Sequence, residues 1–474
     1  MSNRRSFLQS ALAFGATLAA APKLFGSATG SKMSHGMAMN PGDSIPVNTP
    51  DVANLPFKMD GDVKVFTLVA EPVKQEILPG KVLDLWGYNG SAPGPTIQIN
   101  EGDRVRIVFD NHLPEPTSIH WHGFEIPEAM DGVPGLGQKP VAPGGRFIYE
   151  FTPHQEGTYF YHSHMAMQEM LGMLGAFIMH PKQAYTPAVA SDHVILLQEY
   201  AVLPNNTVPN TMNMEYNWLT FNGKVGPAAT PIVVRQGDRV RIRLINLGMD
   251  HHPIHLHGFT FWVTGNEGGR LSEAQWMRRN TVLIGVAQAQ DIEFNAIYPG
   301  SWMLHCHLPH HMMNQMSSNV GKMTRLGVGV SAGEDMESGM GMVTGSGNAT
   351  SDNRGPSLGR GMGVGSTSEN ATPNGPISQE NARHDMADIA KDANKVPGFP
   401  QDAFMEGPMM AMDKMVEKLE TYGLPEGWSG YVGGMMTLVR VLPPDQYEKY
   451  LELKKKQSPN EMPNMPGMGG NHGG

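Results

Sequence analysis

The feature that most constrains the fold is an internal repeat of two motifs. The segment EGDRVRI at 101–107 recurs as QGDRVRI at 236–242, and IHWHGF at 119–124 recurs as IHLHGF at 254–259, both at an offset of 135 residues. Self-similarity at a fixed offset marks a duplicated structural unit. The chain therefore predicts two copies of one domain, at about residues 55–182 and 188–330.

Each copy has the pattern of a β-sandwich. Segments such as 104–109 (RVRIVF) alternate polar and apolar residues and end near Gly, Asn or Pro, which is typical of strands with one buried face. The 56 glycines and 37 prolines in 474 residues also favour a turn-rich β architecture over a helical bundle. The predicted fold class is all-β, with two sandwiches in tandem.

The N-terminal residues 1–28 resemble a twin-arginine export signal. They carry Arg4-Arg5 before an apolar, alanine-rich stretch that is too short for a membrane span. A cleaved signal of this kind predicts a periplasmic or secreted protein that is exported folded. No later stretch has the roughly 18 apolar residues of a spanning helix, so we expect no membrane span.

The region after the second copy changes in composition. Residues 331–398 predict a flexible linker, since 331–380 contain eleven glycines and no aromatic residue. Residues 399–456 predict a small helical appendage, because apolar positions from Phe404 to Tyr422 follow helical spacing. Residues 457–474 are a Met/Gly-rich tail.

Charge and cysteine content limit the partners. The net charge is −10, and it becomes −13 without residues 1–28, which hold three basic residues and no acid. This charge disfavours a nucleic-acid partner and favours cations. The single cysteine, Cys306, excludes an intrachain disulfide, although an oxidising compartment is predicted. Its presence needs a different chemical explanation.

Four clusters contain ten of the nineteen histidines. They are His120-Trp121-His122, His162-Ser163-His164, His252 with His255 and His257, and His305-Cys306-His307 followed by His311. Residues two apart on a strand share a face. Four pairs therefore converge, each on one side: His120 and His122, His162 and His164, His255 and His257, His305 and His307. Eight imidazoles suit a multinuclear metal site.

Neighbouring residues of a strand lie on opposite faces, and this alternation separates a second, mononuclear set from these pairs. Cys306 points away from His305 and His307, and His252 lies at an odd offset from His255 and His257. With His311 and a long axial Met316, this set has two imidazoles, one thiolate and one thioether. That combination is the blue-copper electron-transfer set, whereas zinc sites rarely use it.

These motifs resemble those of the multicopper oxidases, over about residues 60–325. The resemblance implies cupredoxin-like Greek-key sandwiches and four copper ions per active unit. A type 1 copper would bind the mononuclear set, a type 2 copper His120 and His255, and a type 3 pair the other six paired histidines: His122, His162, His164, His257, His305 and His307. Asp131 matches the position of an acid near the type 2 copper, and it could relay protons or be an Asp-Gly turn residue.

The resemblance is to the two-domain, small laccase-like members, because the chain has no room for a middle domain. Alignment of the two copies shows which residues of the first domain replace the mononuclear set. They are Thr117 for His252, Ser163 for Cys306, Gln168 for His311 and Met173 for Met316. The first domain is therefore expected to have no type 1 site. Copper nitrite reductases carry that site in the first domain, which makes a nitrite reductase-like enzyme the less favoured alternative.

The activity that the resemblance implies is one-electron oxidation of a small donor, coupled to four-electron reduction of O2 to water. The donor would be a phenol, an aromatic amine or Cu(I), and Cys306, between two type 3 ligands, would conduct the electrons. The 35 methionines are compatible with Cu(I) handling in copper homeostasis, or with packing alone. A periplasmic copper-sequestering resistance protein is the alternative. The resemblance also implies a homotrimer, with each trinuclear cluster between two chains, and the alternative is a monomer with an intrachain cluster.

Overall fold

The computed structural model describes residues 45–165, 167–202, 206–214, 216–312 and 411–456. The predicted signal, linker and tail lie outside the described residues. The described part is mostly β-strand and has one α-helix, α1 (Pro444–Lys456). Short 3-10 segments are Glu128–Met130, Glu169–Leu171, Glu273–Gln275, Pro309–Met312, Leu419–Thr421 and Trp428–Tyr431. No helix in these ranges has the length and hydropathy of a membrane span.

The first half of the described chain forms two sheets around one core. Its strands are β1 Phe57–Asp60, β2 Val63–Leu78, β3 Lys81–Tyr88, β4 Ile97–Asn100, β5 Arg104–Asn111, β6 Ile119–His122, β7 Arg146–Phe151, β8 Gly157–Ser163 and β9 Leu174–His180. One sheet has the order β1-β2-β5-β7 with β3 paired to β2, and the other has the order β4-β9-β8-β6. Aromatic residues including Trp121 and Tyr149 fill the space between them.

The second half repeats this architecture with more strands. They are β10 Ser191–Tyr200, β11 Trp218–Phe221, β12 Ile232–Arg235, β13 Arg239–Asn246, β14 His252–Leu256, β15 Phe261–Asn266, β16 Gly269–Arg270, β17 Met277–Arg279, β18 Thr281–Ile284, β19 Gln288–Asn295, β20 Gly300–Cys306 and β21 Met436–Leu442. A seven-stranded sheet has the order β11-β10-β13-β19-β15-β16 with β17 paired to β15. A five-stranded sheet has the order β12-β21-β20-β14-β18. The predicted all-β tandem sandwich is confirmed.

The alternation predicted for 104–109 is present in β5. Val105, Ile107 and Phe109 are fully buried, while the intervening residues are partly exposed. The strand pairs in parallel with β2 and antiparallel with β7. Its apolar face therefore closes the first core, as expected for a strand with one solvated face.

The equivalent strand of the second copy, β13, differs because both of its faces are buried. Arg243 bridges to Asp192 at 2.8 Å, and its guanidinium donates to the hydroxyl of Thr158 in the first sandwich at 2.7 Å. Thr158 in turn donates to Asp291 at 2.6 Å. The outer face of the first sandwich therefore covers this sheet, and the buried charges are paired, as burial requires.

An apolar contact surrounds these ion pairs. Phe160 and Ile178 of the first sandwich pack in one buried cluster with Val194, Ile245 and Ala289 of the second. The partners from the second sandwich all belong to, or directly border, its seven-stranded sheet. The two sandwiches thus meet through the outer face of the β8–β9 sheet and the outer face of the seven-stranded sheet.

The predicted helical appendage at 399–456 does contain helix α1, but it also contains strand β21, which corrects the prediction. Met436–Leu442 lies inside the five-stranded sheet, parallel to β12 and antiparallel to β20. The first sandwich has the same arrangement, with β9 parallel to β4 and antiparallel to β8. The last strand of the second sandwich is therefore supplied from beyond the predicted linker. The sequence pattern missed it because the strand is separated from its partners by more than 120 residues.

The predicted helix at 404–422 is also wrong over its described part, 411–422. This stretch has turns and one short 3-10 segment. The Asp413 carboxylate accepts hydrogen bonds from the backbone of Gly427 at 2.6 Å and Ser429 at 3.1 Å, which holds an irregular loop in place of a helix. Met412 and Val416 pack in a cluster that contains Leu85 of the first sandwich and Trp218 of the second, so the apolar spacing reflects packing of a loop.

We predict that a chain ending at residue 410 loses the second sandwich. Five apolar side chains of the 435–442 segment are buried: Met435, Met436, Leu438, Val439 and Val441. At roughly 1.5–3 kcal/mol for each buried side chain, their loss is comparable with the whole stability of a domain, about 5–15 kcal/mol. Hydrogen exchange followed by mass spectrometry should show β14 and β20 unprotected.

Two further deletions serve as matched controls. A chain that ends at Lys456 and a chain that lacks 331–398 both retain β21, so we expect both to protect β20 as the full chain does. Protection of β20 in the chain ending at 410 would contradict the assignment of β21 to this sheet.

Candidate metal centres

The first sandwich brings together four histidines on the outer face of β6 and β8. His120 is opposite His162 in the antiparallel register. Ligand atoms of His120, His122 and His162 lie within 4.8 Å of one another, and the ring of His164 lies 5.3 Å from that of His120. These four residues are called the first half-site. Because neighbouring side chains of a strand alternate between its faces, these histidines point away from the core while the residues between them point into it.

The second sandwich repeats this arrangement on the outer face of β14 and β20. His255 is opposite His305, and ligand atoms of His255, His257 and His305 lie within 4.8 Å of one another. The ring of His307 lies 5.6 Å from that of His255. These four residues are called the second half-site. Both half-sites contain exposed members, namely His164, His257 and His307.

Backbone and side-chain acceptors hold one nitrogen of several imidazoles. The Nδ1 atom of His120 lies 2.9 Å from the Asp131 carbonyl oxygen and 3.3 Å from its carboxylate. The Nδ1 of His255 lies 2.6 Å from the Asn280 carbonyl oxygen, and that of His305 lies 2.8 Å from the Cys306 carbonyl oxygen. Contacts of this kind fix the tautomer and leave Nε2 available for a metal.

Burial favours the neutral form of four of these eight imidazoles, whereas at His162 the Glu169 side chain outweighs the effect of burial and raises the pKa. Burial, then the neighbouring His162 and His120, lowers the pKa of His122 to about 4. Burial also lowers the pKa values of His120, His257 and His305. A neutral imidazole offers the lone pair that a metal needs, so burial favours metal binding at these four histidines.

The mononuclear set lies on the opposite, inner face of β14 and β20. The Cys306 Sγ is 3.4 Å from His311 Nδ1 and 3.8 Å from His252 Nδ1, and the two Nδ1 atoms are 3.2 Å apart. All three residues are buried. Burial raises the pKa of the Cys306 thiol to about 12 and, with His252 nearby, lowers that of His311 to about 3.

Two acids near this set were missed by the sequence analysis. Glu199 is fully buried, and its carboxylate lies 3.2 Å from His252 Nε2 while accepting from the backbone of Met249 and Asp250. Asp250 lies 3.7 Å from His311 Nε2. A carboxylate behind a metal-binding histidine orients the ring. The sequence does mark Glu199, because Gln198-Glu199 interrupts the apolar run of β10.

The first sandwich has a hydrogen-bonded group in the corresponding place. The hydroxyls of Thr117 and Ser163 lie 3.2 Å apart, and Ser163 donates to the Gln168 side chain at 2.8 Å. These are the residues that the repeat aligns with His252, Cys306 and His311. Hydroxyl and amide groups therefore satisfy one another where the second sandwich has metal-binding side chains.

The described structure does not include the predicted axial ligand, and it does not bring the two half-sites together. Met316 lies outside the described residues. Among the described residues, no ring contact joins the first half-site to the second, and each metal-compatible group comes from one sandwich. The second half-site lies on the outer face of the five-stranded sheet, whereas the first sandwich covers the seven-stranded sheet. A full sandwich therefore separates the two half-sites within one chain.

The donor chemistry fits copper. A thiolate with two imidazoles suits a blue-copper site, and clustered imidazoles suit copper more than calcium or magnesium, which prefer oxygen ligands. A metal would also ionise the Cys306 thiol, which burial otherwise keeps protonated. Fold and donors together define a copper protein built from cupredoxin-like sandwiches.

Comparisons with known proteins identify the family. Two family models, both described as multicopper oxidase, match residues 71–184 and 201–324. The blue copper oxidase of Nitrosomonas europaea, a solved structure, is 30% identical with a TM-score of 0.50, over 53% of this chain and 81% of that chain. The chain belongs to the multicopper oxidase family.

Curated relatives match over shorter parts. Copper resistance protein A of Pseudomonas syringae pv. tomato is 37% identical over 145 residues, which is 31% of this chain and 24% of that protein. The multicopper oxidase MmcO of Mycobacterium tuberculosis is 27% identical over 279 residues, 52% of this chain and 54% of that protein. The chain thus matches about a quarter to a half of the length of these relatives.

We predict that Cys306→Ser removes the blue absorption of the copper-loaded protein, because the thiolate ligand is lost. The half-sites face away from Cys306, so they should keep their copper. Metal analysis, the visible spectrum and circular dichroism on one sample test this expectation. A folded Cys306→Ser protein that is still blue would exclude the mononuclear assignment.

Proposed function

We propose that this protein is an oxidase that transfers electrons from a small donor, through the mononuclear set, to O2, and that two half-sites together would hold the copper ions at which O2 is reduced. The observation that carries the proposal is strand β20, which presents Cys306 to one set and His305 to the other. Copper supplies the one-electron steps of such a reaction. Four electrons and four protons convert one O2 into two water molecules.

The chain's own atoms offer two short electron paths. Cys306 is bonded through its backbone to His305 and His307, which belong to the second half-site. The Cys306 carbonyl oxygen also accepts a hydrogen bond from His305 Nδ1 at 2.8 Å, which shortens the path from sulfur to imidazole. We assign a type 1 copper to the mononuclear set. The type 2 copper is assigned to His120 and His255, and the type 3 pair to the other six histidines of the half-sites.

Asp131 is proposed to relay protons near the type 2 position. Its carboxylate lies 3.3 Å from His120 Nδ1, and about a third of its side chain is exposed. It is therefore in contact both with a ligand and with solvent. Its backbone carbonyl also fixes the His120 ring, so the same residue positions the ligand.

Assembly is proposed to complete the active site. The two half-sites of one chain lie on opposite sides of the second sandwich, and each has an exposed histidine. A ring of three chains lets the first half-site of one chain face the second half-site of its neighbour, through one repeated heterologous contact. The separation within the chain supports this homotrimer over an intrachain cluster.

Mixed assembly tests the trimer. A variant with His120 and His122 replaced by Ala and a variant with His305 and His307 replaced by Ala should each be inactive alone. When they are co-expressed with different tags and purified through both tags, some contacts pair two intact half-sites. We expect oxidase activity to return in the mixed protein.

The control is a mixture of the two variants made after separate folding and purification, which tests whether chains exchange. A doubly tagged, copper-loaded oligomer without activity would exclude clusters between chains. The same sample would then favour a cluster formed within each chain.

The donor is proposed to be a phenol, an aromatic amine or Cu(I), and one surface feature favours Cu(I). Met212 and Met214 are 77% and 53% exposed. The Tyr216 hydroxyl donates to the Met214 sulfur at 3.4 Å, and Tyr216 packs in the same core as Cys306. Burial, then the charges of Glu199 and Asp250, raises the Tyr216 pKa. Thioethers prefer Cu(I), so this surface could receive it near the mononuclear set.

Oxygen uptake with two donors tests the activity and the donor. The copper-loaded protein should consume one O2 per four electrons with Cu(I) and with a dimethoxyphenol, and produce no nitric oxide from nitrite. Met214→Leu should raise the KM for Cu(I) several-fold and leave the phenol KM unchanged, because only Cu(I) uses the thioether.

Cys306→Ser is the control for adventitious oxidation and should consume no O2 above background. Copper binding without O2 uptake would instead favour the alternative, a copper-sequestering resistance protein. Nitrite reduction would favour the nitrite reductase alternative. Equal effects of Met214→Leu on both donors would exclude a specific Cu(I) surface.

The periplasm is proposed as the location. The twin-arginine motif at Arg4-Arg5 supports export of a folded protein, and the net charge of −13 without residues 1–28 favours cationic donors. Copper handling in that compartment is the physiological role that fits a Cu(I) donor.

A further inference from the structure

The nearest strand neighbour of Cys306 on one side is Met435, a residue from the far side of the predicted linker. The backbone N–H of Cys306 donates to the Met435 carbonyl oxygen at 3.0 Å. The antiparallel register pairs Leu304 with Thr437 and His305 with Met436, so it continues to Cys306 and Met435. Met435 is fully buried.

Register also determines the face that Met435 occupies. Residues directly opposite each other in an antiparallel pair place their side chains on the same face, about 4.5–5.5 Å apart at Cβ. Met435 therefore shares the inner face with Cys306 and lies in the same buried cluster. Met436 takes the outer face and packs with Val432 and Leu438 in a separate cluster.

The third member of the mononuclear set is also in contact with Met435. The backbone N–H of Met435 donates to the His311 carbonyl oxygen at 2.8 Å. Met435 thus spans the gap between the two ligands, Cys306 and His311, that come from the end of β20 and the turn after it. A thioether at this position enters a site that already has two imidazoles and one thiolate.

The internal repeat gives an independent argument. In the first sandwich, Ser163 corresponds to Cys306, and its N–H donates to the Met173 carbonyl oxygen at 3.0 Å. Met173 is fully buried and directly precedes β9, as Met435 directly precedes β21. Met173 is also the residue that the sequence repeat aligned with the axial position. Its counterpart in the fold is Met435, whereas Met316 was chosen by counting along the chain.

We propose that Met435 supplies the axial thioether ligand of the mononuclear copper site, in the role that the sequence pattern assigns to Met316. This inference rests on the proposed type 1 copper site. It makes residues 313–434 an insertion between the ligand turn and the strand that completes the site. The mononuclear set then has ligands on both sides of that insertion, His311 before it and Met435 after it.

The axial ligand tunes the reduction potential and the spectrum of a blue-copper site. Met435→Leu removes a donor of similar volume, so we expect a higher reduction potential and a changed ratio of the visible bands. Met435→Gln introduces a harder oxygen donor and should lower the potential. Both variants should retain the blue colour, because Cys306 remains. Redox titration, visible spectra and electron paramagnetic resonance of the copper-loaded proteins provide the readouts.

Met316→Leu and Met436→Leu are the matched controls, since the first tests the rival ligand and the second alters the adjacent residue on the outer face. Both should leave the potential and the spectrum of the mononuclear site unchanged. A shift with Met316→Leu and none with either Met435 variant would overturn the proposal. If Met435→Leu fails to fold, the Gln variant still decides, because its potential must fall.

The type 1 copper site and its axial ligand can be excluded by different results. A wild-type, copper-loaded protein without a blue band would remove the type 1 site itself, and with it the proposed function. A blue wild-type protein whose Met435 variants match it in spectrum and potential would remove only the axial assignment.

Discussion

Alternation along strand β20 is the constraint on which both metal centres depend. Neighbouring side chains of a strand point to opposite faces, so a single strand presents His305 outward and Cys306 inward. The strand lies between β14 and β21, and β14 contributes His252 and His255 to the two sites. A one-residue shift of register would exchange the two faces and destroy both centres. The register of β20 with β14 and with β21 therefore has to be fixed to the residue.

The contact between the sandwiches determines where the half-sites can meet. Arg243, Asp192 and Asp291 are buried there with Thr158 of the first sandwich, and removal of one partner would leave a buried charge without compensation. This contact uses the face of the second sandwich that carries no paired histidines. It holds the two half-sites apart within one chain. In the proposed homotrimer these ion pairs would therefore act on assembly, although they lie away from every proposed ligand.

Much of this arrangement could be predicted from local patterns. The repeat of IHWHGF as IHLHGF defined the two sandwiches, and parity separated Cys306 from His305 because strand geometry is local. The contribution of β21 could not be predicted, since sequence spacing carries no information about pairing across more than 120 residues. The same limitation applies to the axial ligand, for which the spacing after His311 selects Met316 and the proposal from strand pairing selects Met435. At 411–422, apolar spacing suggested a helix, but the side-chain hydrogen bonds of Asp413 favour a loop. The sequence shows Glu199 as a charged residue in an apolar strand, but it does not indicate the contact with His252.

The insertion between β20 and β21 also has a consequence for synthesis. The strands of the first sandwich, 57–180, are nearly contiguous in the chain, so that sandwich can fold while translation continues. The second sandwich cannot close until residue 442 has left the ribosome, because β21 lies in the middle of its sheet. Contacts between residues so distant in sequence form slowly. During that interval β12 and β20 present unpaired edges in a nascent chain whose second sandwich is still open.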